Sequence, residues 1–220
     1  MLTGRWLHTI ILSPYLVALA APVHGVAAAV SGTVTGVDNK SIANAVVFVQ
    51  ASTPTPLRTK SPQVVDQIHK TFVPGLLPIV VGTSVRFPNH DQIHHHVYSF
   101  SPTKTFELPL YKGEEAPEVV FDKVGVVKIA CNIHDWMAGI ILVLPSPHFA
   151  VTDAQGRFVL ENLPAGEYTL LAWHELSKMK PEATAQPMQV RGDDVSHVTF
   201  SLPLGPARPR PAMHGARGEP

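Results

Sequence analysis

The chain has 220 residues, 45% of them hydrophobic, and its 17 basic and 17 acidic side chains balance to a formal net charge of zero. A chain of this length and composition buries at least one sizeable core, and its charge balance gives no electrostatic reason to expect nucleic acid or an anionic membrane as a partner. The 21 prolines and 15 glycines argue against a fold of long helices and favour short strands joined by tight turns.

The first 29 residues have the pattern of a secretory signal. Arg5 precedes an apolar run from Ile10 to Ala21, and the three alanines at 27–29 offer a small-x-small cleavage site. The apolar run is shorter than the roughly 20 residues that a transmembrane helix needs, so export is favoured over an uncleaved membrane anchor. The sequence therefore predicts a periplasmic protein without stable membrane insertion.

Residues 30–51 predict the first two strands of the exported chain. Two runs rich in β-branched residues, 32–37 and 45–49, flank a turn centred on Asn39. The Pro/Thr-rich stretch that follows, 52–62, predicts a linker or a crossover.

Residues 60–146 predict a second and larger all-β unit. Short apolar runs alternate there with turn residues, a spacing that is typical of a sandwich or barrel. The runs that predict strands are 79–81, 84–87, 96–100, 119–121, 126–130 and 140–144.

Residues 148–203 predict further strands. A turn begins at Asp153 and ends at Gly156, which supplies the positive φ that such a turn requires. The last segment, 204–220, is rich in Pro, Gly, Ala and Arg and has almost no large apolar residues, so it predicts a disordered tail.

The single cysteine, Cys131, cannot form an internal disulfide. It ends the predicted strand 125–131, in which Lys128 marks the solvent face, so the thiol is expected to point into the core. His134 and Met137 lie in the loop that follows. One short loop thus supplies a thiolate, an imidazole and a thioether, which are donors of a trigonal His₂Cys copper site with a weak axial Met. Zinc sites are built from Cys and His ligands and rarely include a thioether.

The proposed copper site needs a second imidazole from another strand. His90 and the run of three histidines at 94–96 are the candidates. On a strand His94 and His96 face one way and His95 the other, so periodicity allows either His95 or one of its neighbours. If they are not ligands, His94 and His96 are expected to be exposed strand residues.

Residues 64–144 resemble the plastocyanins and amicyanins, which are cupredoxins. The resemblance rests on an F-x-P segment at 72–74, a G-x-x-V-x-F-x-N strand at 82–89 and a histidine that opens the next strand. In those families that histidine is a copper ligand, and the matching position is His95. The spacing of Cys131, His134 and Met137 is similar to the short ligand loop of amicyanin.

The resemblance implies a Greek-key cupredoxin sandwich that binds one type 1 copper through His95, Cys131, His134 and Met137. In these families the residue after the first ligand is usually Asn and braces the cysteine loop, whereas here it is His96. This departure implies a different hydrogen-bond network around the metal. The residues expected around the ligands or at a docking surface are His96, Asn89, Asn132 and Trp136.

The flanking segments 30–51 and 148–203 together resemble a carboxypeptidase regulatory-like, or transthyretin-like, β-sandwich. This resemblance implies one smaller discontinuous domain into which the cupredoxin unit, 60–146, is inserted. Two separate domains in series are the competing arrangement. Both arrangements place the chain in the all-β class.

The implied activity is the transfer of single electrons to or from a redox partner protein in the periplasm. An enzyme is not expected, because a multicopper cluster needs several His-x-His pairs and a nucleophilic Cys131–His134 pair would have only Asp135 to orient it. The alternatives are a copper carrier or storage protein without a redox role, and a structural β-sandwich that has lost the metal.

Overall fold

The structure is a computed structural model, and it is all-β, as the sequence predicts. A four-residue 3-10 helix, Pro181–Thr184, is the one helical element among the described residues, so no helix in that part of the chain has the length and apolarity to cross a membrane. The predicted signal segment lies outside the described residues except for its last two residues, which belong to the first strand. The described residues are 28–51, 53–54, 56, 61–113, 118–191 and 196–206.

Seventeen strands are present in the described residues, and all are short. They are β1 (Ala28–Gly36), β2 (Val46–Val49), β3 (Gln63–Val64), β4 (Asp66–Ile68), β5 (Thr71–Val73), β6 (Leu76–Val80), β7 (Thr83–Arg86), β8 (His95–Ser101), β9 (Lys104–Tyr111), β10 (Val119–Phe121), β11 (Gly125–Ala130), β12 (Ala138–Leu144), β13 (Phe149–Val151), β14 (Arg157–Leu163), β15 (Gly166–Trp173), β16 (Gln186–Val190) and β17 (Ser196–Leu202).

Both flanks of the chain contribute to one core, in what we call the flanking sandwich. One sheet has the strand order β14-β1-β17, with β1 parallel to β17, and the other has the order β13-β2-β15-β16. Side chains from both sheets form a common hydrophobic cluster; among its buried members are Val30, Val34, Val47, Phe158, Leu170 and Phe200. The predicted turn before β14 is confirmed: Gly156 has a φ of 74°, and a Cβ there would lie 2.5 Å from the carbonyl oxygen of Val34.

The middle of the chain forms the central sandwich. Its larger sheet has the order β6-β12-β11-β8-β9, and it faces the sheet β10-β7-β3 and the hairpin β4-β5 across a second core. Alternation places Val127 and Ile129 of β11 in this core and leaves Lys128 exposed. The largest buried side chains of this core are Phe72, Phe87, Phe121, Ile129, Met137 and Ile141.

The two sandwiches share a third cluster, which we call the inter-sandwich cluster. Strand β12 is buried on both faces: Ile141 and Val143 enter the central core, whereas Leu142 and Leu144 pack against the flanking sandwich. The buried members of the inter-sandwich cluster are Val46, Phe48, Leu142, Leu144 and Leu171. The outer face of the larger central sheet is therefore covered in part by the flanking sandwich.

The six strands predicted within 60–146 are present. The structure also contains strands that were not predicted, among them β9 and β16. Strands β9 and β16 are the edge strands of their sheets, and each contains a proline, at Pro109 and Pro187. Proline has no N–H for a ladder and is tolerated at a sheet edge, so its presence weakens the sequence signal of a genuine strand. The start of the predicted disordered tail is tied to the fold, since Leu204 bridges Ser177; residues 207–220 lie outside the described residues.

Candidate metal centre

His95 opens β8 and is completely buried, with 0% of its surface exposed. The register between β8 and β9 shifts between His95 and Val97, so strict alternation fails at this point. As a result His95, His96 and Val97 are all buried. The expectation that His96 is an exposed strand residue is therefore wrong, while His94 is exposed as expected but lies just before β8 and not within a strand.

Cys131 follows the last residue of β11 and is 3% exposed, as the alternation along that strand predicts. Two backbone hydrogen bonds close the loop that it begins. The N–H of Cys131 donates to the carbonyl of Met137 at 3.0 Å, and the N–H of Met137 donates to the carbonyl of His134 at 2.9 Å. The loop is therefore folded back on itself, which directs the side chains of Cys131 and His134 to one point.

Three metal-binding atoms meet inside the central sandwich. The Sγ atom of Cys131 lies 3.9 Å from Nδ1 of His95 and 4.0 Å from Nδ1 of His134. The ligand atoms of these three buried residues all lie within 4.8 Å of one another. The imidazole rings of His95 and His134 meet edge to face, with their centroids 5.0 Å apart.

These distances fit a single metal ion. Bonds of about 2.0 Å to nitrogen and about 2.3 Å to sulfur would separate the two atoms by about 3.7 Å in a trigonal site and about 3.5 Å in a tetrahedral one. The observed 3.9 and 4.0 Å lie closer to the trigonal value. A buried thiolate with two imidazoles in a plane is the equatorial donor set of a blue-copper site, so the residues present fit copper.

Met137 is 1% exposed and packs in the central core. Its backbone is held to Cys131 and His134 by the two hydrogen bonds that close the loop. A thioether is a soft, weak ligand, and an axial role for Met137 stays a prediction.

Asp91, which the sequence analysis did not single out, contacts the ring of His95 on the side away from Cys131. Its Oδ2 lies 2.7 Å from Nε2 of His95. Burial alone would raise the pKa of Asp91, but hydrogen bonds from the backbone N–H of Lys70, the His95 ring and the backbone N–H of His69 hold it below the usual range. A carboxylate a few residues before a candidate histidine ligand is a signal that could have identified it.

Asn89 lies in the loop before His95 and is 2% exposed. Its Nδ2 donates to the carbonyls of Ile93 at 3.0 Å and Tyr111 at 2.9 Å, and its Oδ1 accepts from the N–H of Asp91 at 3.0 Å. Asn89 therefore fixes the course of the loop that carries Asp91 and leads into His95.

His96 does not lie on a docking surface, because it is only 6% exposed. Its Nε2 lies 2.9 Å from a carboxylate oxygen of Glu107 on β9, and its Nδ1 is buried with no hydrogen-bond partner among the described residues. Its ring lies against that of Tyr98, with centroids 5.3 Å apart.

The ligand loop approaches solvent on the other side of the site. His134 is 8% exposed, Trp136 is 37% exposed, and Asn132 is exposed. The rings of His134 and Trp136 lie 5.3 Å apart. Burial is the largest effect on the pKa of His134 and lowers it, so this imidazole takes up a proton only at a lower pH than an ordinary histidine does.

Among the described residues, three further histidines contribute no atom to this group. His90 is exposed and pairs with Asp66 at 2.7 Å, and His69 is exposed. His174, at the end of β15, is buried, and its Nδ1 accepts a hydrogen bond from the N–H of Leu176 at 3.2 Å.

Comparison with known proteins yields partial structural matches. No family model and no curated protein matches the chain. A copper-containing nitrite reductase from Thermus scotoductus SA-01 matches 41% of this chain and 25% of its own, with 27% identity and a TM-score of 0.36. A reduced amicyanin variant matches 44% of this chain and 98% of its own, with 21% identity and a TM-score of 0.36. A purple cupredoxin from Nitrosopumilus maritimus matches 38% and 100%, with 27% identity and a TM-score of 0.34.

The extent of these matches differs between the two kinds of protein. The matched part of the chain spans only a quarter of the nitrite reductase chain. It spans the whole of the purple cupredoxin.

Proposed function

We propose that this protein is a periplasmic type 1 copper protein that transfers single electrons. Cys131 would provide a thiolate, His95 and His134 two imidazoles, and Met137 a thioether to hold the copper. One observation carries the proposal: a cysteine and two histidines, all buried, bring their ligand atoms within 4.8 Å of one another. Such a donor set selects a soft metal of trigonal geometry.

Copper bound at this site would supply a one-electron couple. The protein's contribution is a site that barely moves when the charge on the metal changes. Cys131 continues a strand in the middle of a five-stranded sheet, and His95 begins the neighbouring strand. The loop between Cys131 and Met137 is closed by its own backbone hydrogen bonds. A rigid, closed set of four donors leaves no position for a substrate, so we propose a carrier and not an enzyme.

The proposed partner is a redox protein that docks over the ligand loop. His134 comes close to solvent there, beside exposed Trp136 and Ile133. An apolar patch around the least buried ligand lets a partner approach the metal closely and release water from the interface. Export through the N-terminal segment would place the protein in the periplasm, and mass spectrometry of the exported protein should then find Val30 at its N-terminus.

Spectroscopy of the full exported chain titrated with Cu(II) tests this function. An intense visible charge-transfer band with narrow EPR hyperfine splitting is expected for wild type and for His94→Ala, the matched control at an exposed neighbouring histidine. Cys131→Ser should abolish the band. A pale, ordinary Cu(II) spectrum that is indifferent to Cys131 would show that the ligand set is wrong.

Copper exchange separates electron transfer from copper delivery. An electron-transfer site should retain Cu(I) in the presence of a modest competitor and cycle repeatedly between its two redox states. Rapid loss of Cu(I) to such a competitor would instead support a copper carrier or storage protein.

A further inference from the structure

We propose that Asp91 is the positioning residue of the metal centre: its carboxylate holds His95 in the tautomer that presents Nδ1 to the metal, and it enriches that imidazole in electrons. The hydrogen bond itself does not depend on the proposed function. Its effect on copper affinity and on the reduction potential does rest on that function.

The donor and acceptor roles follow from the geometry. Oδ2 of Asp91 lies 2.7 Å from Nε2 of His95, and the two side chains are 13% and 0% exposed. An ionised carboxylate only accepts hydrogen bonds, so Nε2 must carry the hydrogen. A neutral imidazole has one N–H, and its other nitrogen is then an acceptor. That nitrogen is Nδ1, which faces Sγ of Cys131 at 3.9 Å.

The carboxylate is itself held in place by the hairpin β4-β5. The backbone N–H of His69 donates to Oδ1 of Asp91, and the N–H of Lys70 donates to Oδ2, each at 2.7 Å. Both turn residues have positive φ, at 53° and 57°, and together they point two successive N–H groups at one carboxylate. The hairpin thus belongs to the metal centre although it contributes no ligand.

A second anchor acts on the backbone of Asp91. Its N–H donates to Oδ1 of Asn89, whose own Nδ2 is bound to two backbone carbonyls. The carboxylate therefore has little freedom to leave His95, and the imidazole keeps its orientation whether or not a metal is present. Outer partners of this kind orient a ligand histidine and raise its basicity, and their loss typically costs 10- to 100-fold in metal affinity.

Three substitutions in the full chain separate orientation from charge. Asp91→Asn keeps the shape and one acceptor oxygen but removes the negative charge. Asp91→Ala removes both the acceptor and the charge, and Asp91→Glu restores the charge on a longer stem. Asp66→Asn is the control, because Asp66 also pairs with a histidine, the exposed His90, at 2.7 Å.

The first readout is nitrogen-15 NMR of His95 in the metal-free protein. Wild type and Asp66→Asn should show a slowly exchanging Nε2–H tautomer, which Asp91→Ala should lose. The second readout is Cu(I) competition and the reduction potential of the copper-loaded protein. Asp91→Ala should bind copper about 10- to 100-fold more weakly. Asp91→Asn should retain most of the affinity but raise the potential, because a less electron-rich imidazole favours Cu(I), and Asp91→Glu should reverse part of that rise.

The tautomer of His95 and the copper measurements can each contradict the proposal independently of the other. An unchanged His95 tautomer in folded Asp91→Ala, or an unchanged affinity and potential in both Asp91→Ala and Asp91→Asn, overturns the proposal. If wild type shows the predicted tautomer but no charge-transfer band with copper, the positioning of His95 stands and the proposed function fails. If Asp91→Ala does not fold, the isosteric Asp91→Asn decides the role of the charge through its potential.

Discussion

Nδ1 of His95 lies 3.9 Å from Sγ of Cys131, although the two residues are 36 positions apart in the chain. The reason is the antiparallel pairing of β8 and β11, in which Tyr98 is opposite Ala130. In such a pair the start of one strand lies beside the end of the other. His95 begins β8 and Cys131 follows the end of β11, so the sheet brings them together.

Replacing Met137 should separate its role in packing from its role as a ligand. Met137→Ala should lower the free energy of unfolding of the metal-free protein by about 2–5 kcal/mol, because the side chain is 1% exposed and leaves a cavity. Met137→Leu, which conserves volume, should cost about 1.5 kcal/mol or less. Urea unfolding of the two variants measures both effects.

The same pair of variants tests the axial contact once copper is bound. Because the thiolate and both imidazoles remain, Met137→Leu should keep its charge-transfer band but have a higher reduction potential, since a weak donor to Cu(II) has been lost. A potential equal to that of wild type would show that the thioether is not a ligand.

Trp136→Ala should slow electron self-exchange between two copies of the protein. The Trp136 ring is 37% exposed and lies 5.3 Å from the His134 ring, so its loss removes apolar contact area next to the least buried ligand. A fall of about tenfold is expected, equivalent to about 1.4 kcal/mol of encounter free energy. NMR line broadening in mixtures of the oxidised and reduced protein measures the rate.

A control distinguishes docking from a general loss of apolar surface. Val159→Ala removes a half-exposed side chain from the flanking sandwich and should leave the self-exchange rate unchanged. The absorption spectrum of Trp136→Ala should match that of wild type. An unchanged rate in Trp136→Ala would show that the surface around Trp136 is not the docking surface for self-exchange.

Phe48→Ala should destabilise both sandwiches together. Phe48 is 6% exposed and belongs to the inter-sandwich cluster, which joins strands of the flanking sandwich to β12. Removal of a buried aromatic ring costs about 3–5 kcal/mol. During urea unfolding of this variant, the copper band reports on the central sandwich and the near-ultraviolet signal of Trp173 reports on the flanking sandwich. The two signals should be lost in one transition with coincident midpoints.

Limited proteolysis tests whether the two flanks of the chain fold as one discontinuous domain. The core of the flanking sandwich draws on residues both before and after the central sandwich, so limited proteolysis should not release the segment after Leu144 as a stable domain. A folded fragment that begins after Leu144 would instead support two domains in series.

His174 should make the fold less stable as the pH falls. Burial lowers its pKa below 6.5, against smaller opposing effects of Glu175 and a hydrogen bond to the backbone of Ala43. As the pH falls below 6.5 the unfolded chain takes up this proton before the folded chain does, so the free energy of unfolding decreases until the pH passes the folded pKa. Protonation would also place an N–H of the ring against the N–H of Leu176.

Urea unfolding of the wild type and of His174→Gln between pH 8 and pH 5 measures this contribution. The difference in free energy of unfolding between the two proteins at each pH gives the contribution of His174, because His134 is present in both. The variant should lose less stability on acidification, and parallel pH profiles would show that His174 does not contribute.

The sequence by itself determined the all-β class, the turn at Gly156 and the inward direction of Cys131. These features depend on local patterns: a period of two along a strand, and a residue that tolerates positive φ. Six strands of the central sandwich were predicted for the same reason. Strands β9 and β16 were not, because the prolines in them are compatible with an edge position that only the sheet order reveals.

Only the tertiary structure decided which of the histidines at 94–96 are buried and which of them faces Cys131. Periodicity left open a choice between His95 and its neighbours, and a register shift at the start of β8 buries both His95 and His96. The same structure brings Asp91 and the β4-β5 turn to the back of the His95 ring. Contacts of this kind join separate segments of the chain, and no periodic pattern within one segment records them, because they form only when the sheets pack.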